Sequence, residues 1–315
     1  MGLKSFLKLV EIKTKVASIT PFLLGSVFAL YRYGQFNWRN FLLMLLSLLT
    51  FDMATTAINN YLDFKKAKKT EGFGYEKHNA IVRYGLTEFS VRMVILILLV
   101  LAVGFGILLY LNTSVVVLII GIISFSVGIL YTFGPIPISR MPLGEIFSGL
   151  FMGFVILLLS AYIHIVDGNL IQVAYEKGML QITLNMIELL VLFMVSLPAF
   201  MGISNIMLAN NICDMEDDLE NRRYTLPLYI GRERSLVLFQ MLYYIAFFDI
   251  LLLLILRILP LTAIPVLLVV IPIRKNIARF LERQTKKDTF PFAIQNFLIM
   301  NVPLILLTVP ALLLA

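Results

Sequence analysis

The sequence predicts an all-α, polytopic membrane protein: a bundle of nine transmembrane helices with cytoplasmic cap loops. Of its 315 residues, 60% are hydrophobic and only 14% are charged, and the mean hydropathy is +0.91. Soluble domains are about 45–50% apolar and about 25% charged. The apolar residues form long continuous runs, whereas the spans of a β-barrel are short and alternate. These observations exclude a soluble enzyme, a disordered tail and a nucleic-acid binder.

Nine stretches of the chain are long and apolar enough to cross a bilayer, which takes about 20 residues. They cover residues 16–33, 40–62, 89–111, 113–133, 143–165, 184–210, 235–256, 259–280 and 293–314. Very short links follow the third and the seventh stretch, so we expect antiparallel neighbours at those two places. Together the nine stretches predict a single transmembrane domain over residues 1–315.

The positive charges indicate how the spans are oriented. With the N-terminus in the cytoplasm, 22 of the 26 lysines and arginines fall on the cytoplasmic side. Loops on that side of a membrane carry an excess of such residues. The chain is therefore predicted to lie in the cell membrane with its N-terminus cytoplasmic and its C-terminus outside. Two connections on the cytoplasmic side, 64–88 and 211–234, are long and charged and are the expected cap loops.

A row of polar residues ends the second predicted span. Asp52, Thr56, Asn59 and Asp63 step by four, three and four positions, which places them on one helix face. A charge within the bilayer costs roughly 2.5–3.5 kcal/mol on insertion scales. Such a row is stable only if it faces a wet or ion-filled cavity. A lone aspartate at a helix end, in contrast, is usually a cap or a solvated residue.

A second acidic cluster ends the sixth predicted span, where Asn211, Asp214 and Asp218 follow one another at helical spacing. Like charges four residues apart repel on an isolated helix, and a divalent cation between them would turn that repulsion into coordination. One cysteine and two histidines exclude a Cys-cluster or multi-His metal site. All candidate ligands are oxygens, so Mg²⁺ is the expected metal, with Mn²⁺ and Ca²⁺ as alternatives.

Magnesium usually bridges carboxylates to phosphate oxygens, and lysine and arginine are the residue types that hold phosphate. A lipid diphosphate with its head at the cytoplasmic face suits this combination of charges. The candidate diphosphate-binding residues are Asn59, Asn60, Lys66, Asn211, Arg222 and Arg223.

These residues resemble those of the UbiA superfamily of intramembrane aromatic prenyltransferases, which have nine transmembrane helices and two Asp-rich motifs. The first motif, Asn-Asp-x-x-Asp, reads Asn59-Asn60-x-x-Asp63 here, with asparagine in place of the first aspartate. The stretch 210–232 and the blocks 131–137 and 143–145 are most similar to the menaquinone branch, the 1,4-dihydroxy-2-naphthoate polyprenyltransferases. The similarity extends over residues 13 to about 234.

The resemblance implies a reaction and a set of roles. A polyprenyl group would pass from an allylic diphosphate to 1,4-dihydroxy-2-naphthoate with Mg²⁺, releasing pyrophosphate and CO₂ and giving demethylmenaquinol. The implied partners are these two substrates and the bilayer, with no nucleic acid. Tyr131 would shield the allylic cation, and Lys13 or Lys15 would hold the carboxylate of the aromatic acid. The implied metal ligands, which are also the implied catalytic acids, are Asp63, Asp214 and Asp218.

Other interpretations remain open. The acceptor could be 4-hydroxybenzoate or the acceptor of a haem O or chlorophyll-type enzyme. A membrane transporter also carries intramembrane acids, but near the bilayer midplane and beside interrupted spans, whereas most acids here lie at cytoplasmic span ends. A CDP-alcohol phosphotransferase requires Asp-Gly and Ala-Arg after its first aspartate, and the sequence after Asp63 lacks them.

Overall fold

The computed structural model describes residues 1–66, 79–132, 137–165, 170–176 and 178–313. The chain divides into two units. The first comprises Met1–Ile19 and Arg39–Thr132, and the second comprises Thr20–Trp38 and Phe133–Ala315.

The first unit contains helices and no strands among its described residues. Its elements, some of which continue into the second unit, are α1 (Leu3–Leu9), a 3₁₀ turn (Ile12–Lys15), α2 (Val16–Tyr33), α3 (Trp38–Lys66), α4 (Ala80–Tyr84), α5 (Glu88–Leu111) and α6 (Val115–Thr132).

Close packing holds α3 against α6 in the first unit. The rings of Phe51 and Phe125 stack with their centroids 3.9 Å apart. A Cβ atom at Gly128 would lie 2.7 Å from the Phe51 ring, so a larger residue there would force the ring to shift. The Ser47 hydroxyl donates to the backbone oxygen of Ala102 at 2.8 Å, a hydrogen bond that connects α3 to α5. The long helix that ends in the first polar row is thus supported along its length.

The second unit contains the remaining helices and one hairpin. Its elements after α2 are a 3₁₀ turn (Ile138–Arg140), α7 (Gly144–Ser148), a π-helix (Gly149–Val155), α8 (Ile156–Tyr162), β1 (Ile171–Glu176), β2 (Met179–Leu184), α9 (Met186–Cys213), α10 (Met215–Glu220), α11 (Leu226–Ile230), α12 (Arg232–Ile255), a 3₁₀ segment (Leu261–Val269), α13 (Val270–Glu282), α14 (Pro291–Thr308) and a 3₁₀ turn (Val309–Leu313).

Helix α9 is the centre of the second unit. A Cβ atom at Gly153 of the π-helix would lie 2.5 Å from the Phe200 Cα atom, so the two backbones touch there. The buried Asn205 amide donates to the backbone oxygen of Phe239 on α12 at 3.0 Å. Asn301 of α14 donates to the backbone oxygen of Pro198 at 3.4 Å. Because neighbours hold α9 on several sides, its C-terminal end is a rigid support for the second acidic cluster.

Length and composition confirm a multi-pass membrane protein. Within the described residues, eight helices are long and apolar enough to cross a membrane, and Val115–Tyr131 is a shorter apolar helix in the place of the fourth predicted span. This agrees with the predicted nine-helix bundle. The fifth predicted span contains a π-helix, and the eighth begins as a 3₁₀ segment that includes Pro265, whose missing N–H disfavours a regular α-helix.

A β-hairpin is the main departure from the predicted all-α fold. Strands β1 and β2 pair antiparallel, with Ile171 opposite Leu184. Gly178 in the turn has a φ of +80°, a conformation that favours glycine. These residues alternate polar and apolar side chains over too short a length to form a span. The sixth predicted span therefore begins only at Met186, after the Asn185 side chain caps α9 by accepting from the Glu188 N–H.

Candidate active site

The C-terminal end of α9 brings the second acidic cluster together. Helix α9 ends at Cys213, and α10 begins at Met215. The helical path continues across the junction, because the Asp218 N–H donates to the Asp214 backbone oxygen at 2.7 Å. Asn211 and Asp218 are each only 1% exposed, so this polar cluster is mostly shielded from solvent.

Asp214 is paired with a lysine from far along the chain. The Lys286 Nζ atom lies 2.7 Å from Asp214 Oδ2, and it also donates to the side-chain oxygen of Asn210. Asn210 Nδ2 lies 3.4 Å from the same Asp214 oxygen. The sequence singled out Asp214, but it marked Lys286 only as one of the charges that set the membrane orientation.

Asp218 is held by the loop that follows α10. The Thr225 hydroxyl donates to its Oδ2 at 3.1 Å, and the Arg223 Nε atom lies 3.3 Å from its Oδ1. The chain doubles back at Arg222, whose φ is +54°, so that the Arg223 N–H donates to the Asp218 backbone oxygen at 2.8 Å. Burial raises the pKa of the Asp218 carboxyl, and Arg223 and Thr225 oppose that rise. Of the two predicted arginines, the exposed Arg222 shapes the turn and Arg223 provides the charge.

Glu145 is a third carboxylate beside the second cluster, and the sequence analysis assigned no role to it. It is 4% exposed, and its Oε1 accepts from Asn211 Nδ2 at 2.8 Å. Within the described part of the chain its Oε2 has no hydrogen-bond partner. Because the amide nitrogen of Asn211 donates to Glu145, this contact holds the Asn211 side chain in one orientation. In that orientation the side-chain oxygen of Asn211, which accepts from Asn210 Nδ2 at 3.5 Å, is the atom able to bind a ligand as well.

The first polar row contains a buried ion pair. Lys15, 2% exposed, lies 2.6 Å from Asp52 Oδ1 and also donates to the Asp52 backbone oxygen and the Thr56 hydroxyl. The Ser18 hydroxyl donates to Asp52 Oδ2 at 2.6 Å. All three ammonium protons of Lys15 thus have partners inside the protein. Lys13, the other lysine predicted to hold the acceptor carboxylate, is exposed.

Three more of the predicted residues, Asn59, Asn60 and Asp63, lie toward the end of α3. The buried Asn60 donates to the backbone oxygen of Leu9 at 2.9 Å, and its own backbone oxygen accepts from Asn79, which caps α4. Its amide nitrogen thus anchors α1 to α3. The Asn59 side-chain oxygen is buried without a hydrogen-bond partner among the described residues, and Asp63 is exposed near the end of α3.

Two other predicted residues lie at helix ends in the same unit. Tyr131 is partly buried at the end of α6. Lys66 is the last residue of α3, and its side chain lies outside the described part of the chain. The convergence of the two acidic rows on one ligand stays a prediction, since the rows belong to different units.

The donor set of the second cluster fits a hard divalent cation that shares its coordination with a substrate. Among the described residues, no group of three or more His, Cys, Asp or Glu side chains is arranged to hold a metal ion. Magnesium commonly binds through one or two carboxylates, several waters and substrate phosphates. Asp214, Asp218 and the side-chain oxygen of Asn211 are donors of that kind.

Comparison with known proteins places the chain in a family. The model of the UbiA prenyltransferase family matches residues 18–302. The chain belongs to this family. Membership confirms the resemblance drawn from the two acidic motifs, and it favours a prenyl-transferring enzyme over a transporter or a CDP-alcohol phosphotransferase.

Individual relatives agree with this assignment. The 1,4-dihydroxy-2-naphthoate octaprenyltransferase of Bacillus subtilis (strain 168) is 34% identical over 226 residues, which is 71% of this chain and 65% of that protein. The match thus spans slightly less than two thirds of that relative's length. The structure of a UbiA homolog from Aeropyrum pernix K1 has a TM-score of 0.67 and 15% identity, covering 92% of this chain and 97% of that one.

A UbiA homolog from Archaeoglobus fulgidus, solved with GPP and Mg²⁺, has a TM-score of 0.66 and 14% identity, covering 99% of this chain and all of that one. At these identities the two structures confirm the fold of the chain.

Proposed function

We propose that this member of the UbiA family transfers a polyprenyl group from an allylic diphosphate to 1,4-dihydroxy-2-naphthoate, a step of menaquinone biosynthesis. The products are demethylmenaquinol, pyrophosphate and CO₂. The observation that carries the proposal is the cluster of Asn211, Asp214 and Asp218 with its two cations, at the end of the central helix of the second unit. The similarity to the B. subtilis naphthoate enzyme supports the choice of acceptor.

The main contribution of the protein to this reaction is to stabilise the charges that form. Breaking the allylic C–O bond leaves a cation and a pyrophosphate of high negative charge. Bound Mg²⁺ supplies positive charge to that leaving group. We assign its coordination to Asp214 and Asp218 and, on the family resemblance, to Asp63. Arg223 provides a positive charge beside Asp218 that the leaving pyrophosphate can use.

The remaining assignments concern the acceptor and the cation. We propose that Lys13 binds the carboxylate of the aromatic acid, because the Lys15 ammonium already has three protein partners. We assign to the ring face of Tyr131 the role of stabilising the allylic cation. Loss of the carboxylate restores aromaticity after the ring attacks, so the reaction needs no strong base. We further propose that the N-terminus is cytoplasmic and the C-terminus outside, on the distribution of lysine and arginine.

A direct assay tests the proposed reaction. Membranes containing the protein are incubated with geranylgeranyl diphosphate, Mg²⁺ and either 1,4-dihydroxy-2-naphthoate or 4-hydroxybenzoate. We expect a prenylated product with the naphthoate alone, and no product when a chelator removes the metal. A product formed only with 4-hydroxybenzoate would overturn the choice of acceptor, while the family assignment would stand.

Glu145 is expected to tune the metal affinity of this site through Asn211. Removing the carboxylate in Glu145→Ala frees the Asn211 amide to rotate, and loss of such an outer partner typically costs about 10–100-fold in metal affinity. We expect the Mg²⁺ concentration for half-maximal activity to rise by that factor. In Glu145→Gln the side-chain oxygen can still accept from Asn211, so the requirement should stay near the wild-type value. If both variants shift alike, orientation of Asn211 is not the role of Glu145.

A further inference from the structure

Lys286 is the cation of the second cluster that family resemblance did not indicate. It lies between the end of α13 at Glu282 and the start of α14 at Pro291. Its Nζ atom is 2.7 Å from Asp214 Oδ2 and 5.2 Å from the centroid of the Phe290 ring. The sequence motifs on which the resemblance to the menaquinone branch rests end at about residue 234, before this segment.

The segment that carries Lys286 is built by its own hydrogen bonds. Thr285 and Thr289 bond to each other, since the Thr285 N–H donates to the Thr289 hydroxyl at 2.9 Å and the Thr289 N–H donates back to the Thr285 backbone oxygen. The Gln284 side chain donates to the backbone oxygens of Phe280 and Leu281 at the end of α13. The backbone of Lys286 is therefore fixed near the cluster, whereas its side chain remains 44% exposed.

The two acids of the cluster have cations of different kinds. Arg223 follows Asp218 closely in sequence and is tied to it through the backbone as well as the side chain. Lys286 reaches Asp214 only through its ammonium group, at the end of a flexible four-carbon stem. Lys286 is thus the cation that can leave its acid without disturbing the backbone around the cluster.

We propose that Lys286 neutralises Asp214 in the substrate-free protein and binds the diphosphate when substrate and metal are present. The oxygen of Asp214 that Lys286 occupies belongs to a carboxylate assigned to the metal, so the ammonium and a divalent cation compete for it. Once displaced, the ammonium remains next to the place where the phosphate oxygens lie. The diphosphate half of this inference rests on the proposed function.

This exchange predicts effects of opposite sign for one substitution. Removing the ammonium in Lys286→Met takes a competitor away from Asp214, so a divalent cation alone should bind more tightly. The same change removes a charged donor to the diphosphate, so pyrophosphate should bind more weakly. A lysine that only ties two segments together would lower both affinities when it is removed.

The experiment uses the purified full chain in detergent and two binding measurements. Binding of Mn²⁺ alone is followed by electron paramagnetic resonance, and binding of inorganic pyrophosphate is measured at saturating Mg²⁺. For Lys286→Met we expect Mn²⁺ affinity to rise about two- to fivefold, the range of a partly exposed ion pair. Pyrophosphate affinity should fall about tenfold, as for a lost charge-assisted hydrogen bond.

Two variants serve as controls. Lys287→Met removes a charge of the same kind from the next residue. Because no ion pair joins Lys287 to the cluster within the described residues, both affinities should stay within about twofold of wild type. Lys286→Arg retains a cation and should restore most of the pyrophosphate binding. Affinities that fall together in Lys286→Met, or that do not change, would overturn the proposal, as would a wild-type protein that binds no Mn²⁺. Neither measurement contains an aromatic acid, so failure of the naphthoate assay would leave this result interpretable.

Discussion

The Asp214→Asn variant is expected to transfer prenyl groups about a hundred- to a thousandfold more slowly than the wild type, the loss typical of one removed electrostatic contact to a developing charge. The amide keeps the shape of the side chain but removes the negative charge that would hold a divalent cation. Asp218→Asn is expected to lose activity to a similar degree. The measurement is the initial rate of prenylated naphthoquinol formation at saturating Mg²⁺ and substrates.

Asp217→Asn is the matched control for this prediction. Asp217 lies between the two acids in sequence and undergoes the same chemical change, but it is exposed. Its activity should remain within about twofold of the wild type, because an exposed charge contributes little to a neighbouring site. If the Asp214→Asn protein retained its activity, the second cluster would have no role in the reaction. Equal losses in all three variants would indicate a general dependence on negative charge in α10.

The spans and the acidic cluster were accessible from the sequence because both are local patterns. A continuous apolar run of about 20 residues indicates a transmembrane helix. Asp214 and Asp218 are four residues apart, which places them on the same face of a helix. The hairpin of Ile171–Leu184 was missed because it lies in the connection between the fifth and sixth predicted spans, where a search for long apolar runs does not distinguish strands from loops. The π-helix depends on the contact of Gly153 with Phe200, which lies on another helix.

Two contacts of the second cluster could not be predicted from the sequence, because they involve residues from distant positions. Glu145 bonds to Asn211 across 66 residues, and Lys286 bonds to Asn210 across 76. No period or spacing connects such pairs, and a lysine in a cytoplasmic loop is explained by membrane orientation alone. The acids of the cluster were thus predicted by residue type and helix face, while the contacts made by Glu145 and Lys286 required the folded chain.

Lys15 is the clearest example of this limit, and it leads to the second prediction. The family resemblance implied that Lys13 or Lys15 binds the acceptor, but the Lys15 ammonium is buried and bonded to Asp52 and Thr56. Lys15→Met leaves the Asp52 carboxylate in a largely buried site without its counter-ion. Breaking a buried pair in this way costs about 3–5 kcal/mol, with the lower end expected here because Asp52 is 16% exposed. Unfolding of the purified protein in a denaturant series measures the loss.

Two further variants decide between a stabilising and a substrate-binding lysine. In the double variant Lys15→Met/Asp52→Asn both charges are gone and the amide can still accept from Ser18, so most of the lost stability should return. Lys13→Met should leave the free energy of unfolding unchanged and raise the KM for the aromatic acid, because Lys13 is exposed and free of the Asp52 pair. If Lys15→Met instead unfolds like the wild type and raises that KM, the ammonium leaves Asp52 for the substrate. The pair would then be a resting arrangement, as we propose for Lys286 and Asp214.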